Sequence, residues 1–123
     1  MAPDFHQLVE KLRTFNLERD WDKYHNPKDL TLALVSEVGE LAECYRWLSP
    51  AEVENVHADP EKRKKVEEEL ADITIFILTL SYKTNIDLLA AIDAKLEKNN
   101  KRYSVDKIKG QHTNPIEGRK EKN

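Results

Sequence analysis

The chain has 123 residues, which corresponds to one domain with a small hydrophobic core. Charged residues make up 35% of it and the formal net charge is -3; residues 1–100 carry a net charge of -7, whereas 101–123 carry +4. An acidic body repels phosphate backbones and therefore argues against binding of a nucleic acid polymer. The single cysteine, Cys44, excludes an intrachain disulfide and fits a reducing cytoplasm.

Neither a leader nor a membrane segment is expected. The N-terminus lacks the basic region followed by an apolar run that marks a signal peptide. The longest apolar run, ITIFILTL at 73–80, is interrupted by Thr74 and Thr79 and is too short to cross a bilayer. We therefore expect a protein without a membrane partner.

Two helices are predicted in the first part of the chain, where scarce proline and glycine favour an all-α fold. The first spans Asp4 to Glu18, with Asp4 as its N-cap. The connector RDWDKYHNPKD follows, and its Asn26-Pro27 pair bars helix. The second predicted helix spans 29–48. Its core stripe consists of Leu34, Val38, Leu41, Tyr45 and Leu48.

Two further helices complete a predicted four-helix core. Asp59 is the expected cap of the third, with Pro60 at its first position. This helix is highly charged at its start and apolar at its end, so we expect one exposed and one buried end. The fourth spans Ile86 to Tyr103, with Asn85 as its cap. Residues 1–103 then form the domain, and 104–123 a tail that is loosely ordered or packed on a partner subunit.

Two acidic pairs stand out on the second and third helices. Glu37 and Glu40 are three residues apart and therefore share a helix face, as do Glu69 and Asp72. If the two helices are antiparallel neighbours, four carboxylates meet and repel one another unless a cation binds. Oxygen ligands of this kind suit Mg²⁺, with Mn²⁺ as a substitute. Glu43 is ambiguous and could support the cluster from outside.

The acidic pairs also have simpler interpretations. Either pair alone is more often a solvated helix face than a metal site, although the apolar neighbours of Asp72 argue against that here. Di-iron helical bundles use Glu-x-x-His on two helices. The sequence has one such match, Glu54 to His57, in a predicted connector and without a second copy, so this alternative is weak.

Aromatic and cationic residues accompany the acids. Trp47 follows Glu40 by seven residues and Phe76 follows Asp72 by four, so each acidic pair has an aromatic neighbour on its predicted helix face, and Trp21 adds another in the connector. Such rings are core residues or surfaces on which a base stacks. One stripe of the fourth helix suits phosphate oxygens, or is a solvated charged face. It consists of Lys95, Asn99 and Arg102.

The segments RDWDKYHNPKDL, EVGELAECYRW, EEELADITIF and KLEKNNKRY resemble the MazG-like all-α nucleoside triphosphate pyrophosphohydrolases, especially the branch related to dCTP pyrophosphatase. The resemblance covers roughly residues 13–103. It implies Mg²⁺-dependent cleavage to a nucleoside monophosphate and pyrophosphate, and a homotetramer. It implies Glu37, Glu40, Glu69 and Asp72 as metal ligands. It places Trp21, Trp47 and Phe76 at the base, and Lys95 and Asn99 near the phosphates.

Four positions depart from the family pattern. Phe76 stands where relatives often have tyrosine, and Asp29, Arg46 and Ser104 replace a common asparagine, glutamine and proline. None of these is a metal ligand, so the reaction type is better supported than the preference for dCTP over dATP, dUTP or modified nucleotides. Leu12 and Arg13 align only loosely with the pocket. The competing hypothesis is a non-enzymatic helical interaction module.

Overall fold

The computed structural model describes residues 1–110. Over that range it contains helices and turns and no β-strand, which confirms the all-α prediction. Short 3-10 turns precede the second and fourth helices, at Asp22–Tyr24 and Val56–Ala58. The helices are α1 (Phe5–Glu18), α2 (Pro27–Glu43), α3 (Pro50–Asn55), α4 (Pro60–Lys83), α5 (Leu88–Arg102) and α6 (Val105–Ile108).

The chain divides into two compact units. The first, Met1–Asp87, contains α1 to α4, and the second begins at Leu88 and contains α5 and α6. In the first unit α2 and α4 form the main packing pair, and α1 packs on α4. The fully buried apolar side chains of the described residues are few, so this core is small. They are Leu30, Val56, Val66 and Leu78.

The predicted caps of α1 and α4 are confirmed. The Asp4 carboxylate accepts a hydrogen bond from the Gln7 backbone N–H at 2.8 Å, and the Asp4 backbone N–H donates one to the Gln7 side-chain oxygen at 2.9 Å. The Asp59 side chain accepts from the first N–H groups of α4, and Pro60 occupies the first helical position. Each cap satisfies backbone donors that have no partner inside the helix.

The predicted bounds of the second helix, 29–48, are wrong at both ends. It begins at Pro27, because the Asn26 side chain accepts a hydrogen bond from the Asp29 N–H and acts as the cap. It ends at Glu43, and residues 44–47 form turns. Ser49 is extended and caps α3, which excludes a helix that continues to Pro50. Residues after Glu43 therefore do not share a helix face with the acids.

Two predictions about the last third of the chain also need correction. Asn85 does not cap α5, which begins at Leu88; it adopts a left-handed conformation, φ 58°, just after α4. Asparagine tolerates this region better than most residues. The predicted tail is not entirely irregular, since Val105–Ile108 forms α6 behind Ser104. The remainder of the predicted tail, 111–123, lies outside the described residues.

Apolar side chains are widely exposed on the helix surfaces. Leu32 and Val35 on α2 are 59% and 64% exposed, and Leu96 on α5 is 61% exposed. Within residues 1–110 no single helix is long and apolar enough to cross a membrane, and α4 and α5 meet that test only when taken together as a broken pair.

Candidate active site

Three glutamates from two helices converge in the first unit. Glu37 and Glu40 come from α2 and Glu69 comes from α4, and one carboxylate oxygen of each lies within 4.8 Å of the others. Glu69 is only 2% exposed, Glu37 is half-buried and Glu40 is exposed. The packing of α2 on α4 thus brings together three of the four predicted ligands, and the cluster opens to solvent on the side of Glu40.

Asp72, the fourth predicted ligand, lies outside this trio. It is exposed, and its charge contributes to the raised pKa of Glu37, so it belongs to the surroundings of the cluster. Glu43, the ambiguous acid, has a different partner: its carboxylate is bound by the Arg46 guanidinium at 2.6 Å. The structure therefore favours Glu40 over Glu43 as a group free to act in the cluster.

The cluster is electrostatically strained. Burial of its carboxyl group, and then the neighbouring Glu40, raise the pKa of Glu37 to about 7. Glu69 has a counter-ion, since the Lys65 ammonium lies 2.8 Å from its carboxylate and holds the pKa of Glu69 below its usual value. Lys65 is the one counter-ion of the cluster among the described residues, so most of the repulsion between its carboxylates remains without a cation.

The donor atoms fit a divalent cation. One carboxylate oxygen of Glu37 and one of Glu69 are buried and have no hydrogen-bond partner among residues 1–110. Buried acceptors without a donor are costly, and a cation would satisfy both. The ligand set consists of carboxylate oxygens. These hard ligands suit Mg²⁺ and Mn²⁺ better than they suit softer metals such as copper.

A cavity of about 430 Å³ lies between α1, the connector and α4. Trp21 and Phe76, two of the predicted base-binding residues, line it, and so does Leu12. The Trp21 ring meets Phe15 edge-to-face at 5.7 Å. This volume lies within the range of small-molecule sites. The other lining residues are Leu8, Lys11, Asn16, His25, Ile75, Leu78 and Thr79.

The cluster and the cavity are both built on α4. Glu69 and Phe76 are seven residues apart on that helix, which corresponds to about 10 Å along its axis. Phe76 also lies one turn beyond Asp72 on the same face. A ligand with an apolar ring at one end and anionic groups at the other could reach from the cavity to the acids.

A hydrogen-bond network behind the cavity was not predicted from the sequence. The Tyr82 hydroxyl donates to the Asp22 carboxylate at 2.7 Å and accepts from the Asn16 side-chain amide at 2.8 Å. The Lys83 ammonium donates to the backbone carbonyl and the carboxylate of Asp22 at 2.9 and 3.1 Å. Arg13 stacks over the Tyr82 ring, 4.6 Å from its centroid, and does not line the cavity. The network fixes the Trp21 connector against α1 and α4.

Trp47 is not part of this cavity. It lies in the turns after α2, is 74% exposed, and is stacked by the Arg46 guanidinium at 4.2 Å. The predicted shared helix face of Glu40 and Trp47 is therefore wrong, because α2 ends between them. A role for Trp47 in base binding stays a prediction, and Trp47 does not line the cavity of its own chain.

The predicted phosphate-binding stripe lies in the second unit. Lys95 is exposed, Asn99 is half-buried, and Arg102 stacks over the Tyr103 ring at 5.0 Å. All three are on α5, as predicted, and their spacing places them on one face of this helix. Their role as donors to phosphate oxygens stays a prediction. The Glu54–His57 alternative loses support, since the His57 ring makes a hydrogen bond of 2.7 Å with the Tyr45 hydroxyl.

Residues 32–114 match the MazG-like family, so the match begins near the start of α2 and includes both acidic pairs. The chain belongs to the MazG-like family. It is 42% identical over 96 residues to dCTP pyrophosphatase 1 of Rattus norvegicus, which is 78% of this chain and 56% of that protein. It is 40% identical over 89 residues to dCTP pyrophosphatase 1 of Homo sapiens, which is 72% of this chain and 52% of that protein.

The MazG-like chain thus spans just over half the length of these curated relatives. Its fold is also similar to the crystal structure of a pyrophosphatase from Archaeoglobus fulgidus, with a TM-score of 0.76 and 36% identity. That similarity covers 85% of this chain and 97% of the archaeal chain. The archaeal protein is therefore matched over nearly its whole length.

Proposed function

We propose that the protein hydrolyses nucleoside triphosphates, chiefly deoxynucleoside triphosphates, to the monophosphate and pyrophosphate with the help of Mg²⁺. The observation that supports this most directly is that α4 carries both an acid of the cluster, Glu69, and an aromatic residue of the cavity, Phe76, about 10 Å apart along the helix axis. The MazG-like family match and the pyrophosphatase names of the relatives agree with it.

Glu37, Glu40 and Glu69 would hold the cation, with Asp72 beside them. When bound, the cation polarises a phosphoryl oxygen and lowers the pKa of a bound water. Glu40 is the exposed acid of the cluster and the best candidate to accept a proton from water. The predicted roles of Lys95, Asn99 and Arg102 as donors to phosphate oxygens belong to this proposal.

The cavity would hold the base, with Trp21 and Phe76 as its aromatic walls. We propose dCTP as the favoured substrate, with dATP, dUTP and modified nucleotides as the alternatives, and removal of surplus or modified nucleotides in the cytoplasm as the role. Phe76 has no hydroxyl, so any hydrogen bond to the base must come from another cavity residue.

Self-association belongs to the same proposal. The small core and the exposed apolar residues Leu32 and Val35 on α2 favour at least a dimer, and the resemblance implies a homotetramer. A second copy would also give the exposed Trp47 a place in base binding.

The test is pyrophosphate release from a complete panel of deoxynucleoside and ribonucleoside triphosphates, with Mg²⁺ and then with Mn²⁺. We expect release with a cation and none with a chelator. The competing interaction module predicts no release from any nucleotide under either cation, and that result would refute the proposed function. Sedimentation of the full chain in the same buffer reports its oligomeric state.

A further inference from the structure

Asn16 is a buried polar residue of the cavity wall. It is 3% exposed, and its neighbours in the lining are mainly apolar and aromatic. Its backbone carbonyl accepts a hydrogen bond from the Trp21 N–H at 3.0 Å, so this group is already used by the fold. What remains to contact a ligand is its side-chain amide, which can present both an acceptor and a donor.

The orientation of this amide is fixed from behind. Tyr82 and then Lys83 hold the pKa of Asp22 below its usual value, so Asp22 is ionised and can only accept. The Tyr82 hydrogen is therefore directed to Asp22, and the Tyr82 oxygen needs a donor. Asn16 supplies it through Nδ2. A flipped amide would place its oxygen against the Tyr82 oxygen, with no hydrogen between them.

The fixed orientation leaves a defined pattern on the amide of Asn16. Among residues 1–110 the side-chain amide makes one hydrogen bond, from Nδ2 to Tyr82, which leaves its Oδ1 and its second N–H available to a ligand. An acceptor beside a donor is complementary to a base edge with an exocyclic amino group next to a ring nitrogen, as in cytosine and adenine. In the position that cytosine would take, thymine and uracil present a carbonyl beside a ring N–H, the reverse order, so they would need the flipped amide or a base shifted by one position along its edge.

The other polar side chains of the cavity do not make this distinction. The Thr79 hydroxyl donates to the Ile75 carbonyl at 2.8 Å, which uses its hydrogen. His25 can offer either a donor or an acceptor at each ring nitrogen according to its tautomer, so it accommodates both kinds of base edge. Lys11 is exposed and carries donors alone.

We propose that Asn16, oriented by Tyr82 and Asp22, is a specificity-determining residue that selects amino-substituted bases over their oxo counterparts. This inference rests on the proposed function, because it assigns the cavity to the base of the substrate. It separates a binding residue, Asn16, from a positioning residue, Tyr82, which does not line the cavity.

The experiment compares the wild-type chain with Asn16→Leu and Tyr82→Phe. For each, kcat/KM is measured for dCTP, for dTTP and for the dCTP analogue whose base lacks the amino group. The wild type should favour dCTP by at least tenfold over both, the loss of about one well-made hydrogen bond. Asn16→Leu should bring the three values within about threefold. Tyr82→Phe should narrow the dCTP-to-dTTP ratio mainly through a gain on dTTP, because the amide can then flip.

A purely structural role for Asn16 gives a different result: both variants would lower stability and all three kcat/KM values together, with unchanged ratios, and the proposal would fail. If Asn16→Leu does not fold, Tyr82→Phe decides by the same ratio. Calorimetric binding of dCMP and dTMP supplies a readout without turnover. Suppose that no nucleotide is hydrolysed, that dCMP binds better than dTMP, and that Asn16→Leu removes this difference in affinity; the proposed function then fails and this inference stands. Equal binding of dCMP and dTMP, or no binding of either, overturns the inference.

Discussion

The carboxylate cluster and the cavity share α4 but are assembled in different ways. The cluster needs α2 and α4 side by side, and each helix contributes acids at helical spacing. The cavity needs α1, an irregular connector and a hydrogen-bond network that joins Asn16 to Tyr82 and Tyr82 to Asp22. The cluster therefore follows from regular spacing on two packed helices, whereas the cavity forms only when segments distant in the sequence pack together.

The largest expected effect comes from breaking the cluster while leaving the cavity intact. Glu69→Gln removes the most buried charge of the trio. We expect pyrophosphate release to fall at least a hundredfold and Mn²⁺ binding, followed by electron paramagnetic resonance, to weaken in parallel, because a ligand oxygen loses its charge. Binding of dCMP to the cavity should change little.

The matched control for that variant is Glu67→Gln on the same helix. Glu67 is exposed and pairs with Arg63 at 3.1 Å, so its loss should leave both activity and Mn²⁺ binding as in the wild type. Retention of full activity by Glu69→Gln, or equal losses in the two variants, would contradict the assignment of the cluster.

A smaller effect is expected from breaking the cavity while leaving the cluster intact. Trp21→Leu removes an aromatic wall, and we expect kcat/KM for dCTP to fall about tenfold to a hundredfold, since a stacked base contributes about 1–3 kcal/mol. Mn²⁺ binding should be unchanged.

Trp47→Leu is the companion variant. A similar loss of kcat/KM there would mean that a second copy contributes Trp47 to the base site, and no loss would mean that Trp47 does not belong to that site.

The four long helices and the pairing of the acids on their faces could be predicted from the sequence, whereas the short helices α3 and α6 could not. Spacing alone predicted the shared faces of Glu37 with Glu40 and of Glu69 with Asp72, because helical geometry is local. The end of α2 was missed because Ser49 and Pro50 begin another helix. The regular apolar spacing favoured one long helix, whereas the capping residue favours a break.

The cavity could be predicted only in part. Trp21 and Phe76 were identified through the family resemblance, and the structure places both in one cavity wall. Asn16 and Tyr82 carried no signal, since they are separated by most of the first unit and an asparagine on a helix is usually a surface residue. Their pairing depends on tertiary packing, which no local pattern of this sequence records.

The smallest expected effect is a pH dependence that belongs to the cluster alone. The pKa of Glu37 is raised from its usual 4.5 to about 7, so between these values the folded chain binds more protons than the unfolded chain. Stability without metal should therefore fall as pH rises from about 5 to 7 and then level off. The lowered pKa of Glu69 acts below this window, where it removes stability as pH falls.

Thermal unfolding with a chelator from pH 5 to 8 measures this effect. Glu37→Gln should lose this decline of the unfolding temperature with pH, and the difference from the wild type measures the contribution of Glu37. Added Mg²⁺ should raise the midpoint of thermal unfolding of the wild type more at pH 8 than at pH 5, because the Glu37 carboxyl group must be deprotonated to bind the cation. An equal decline of the unfolding temperature with pH in the wild type and in Glu37→Gln would mean that the other acids do not raise the pKa of Glu37. The cavity variant Trp21→Leu should keep the wild-type decline, since the cavity contributes no acid to the cluster.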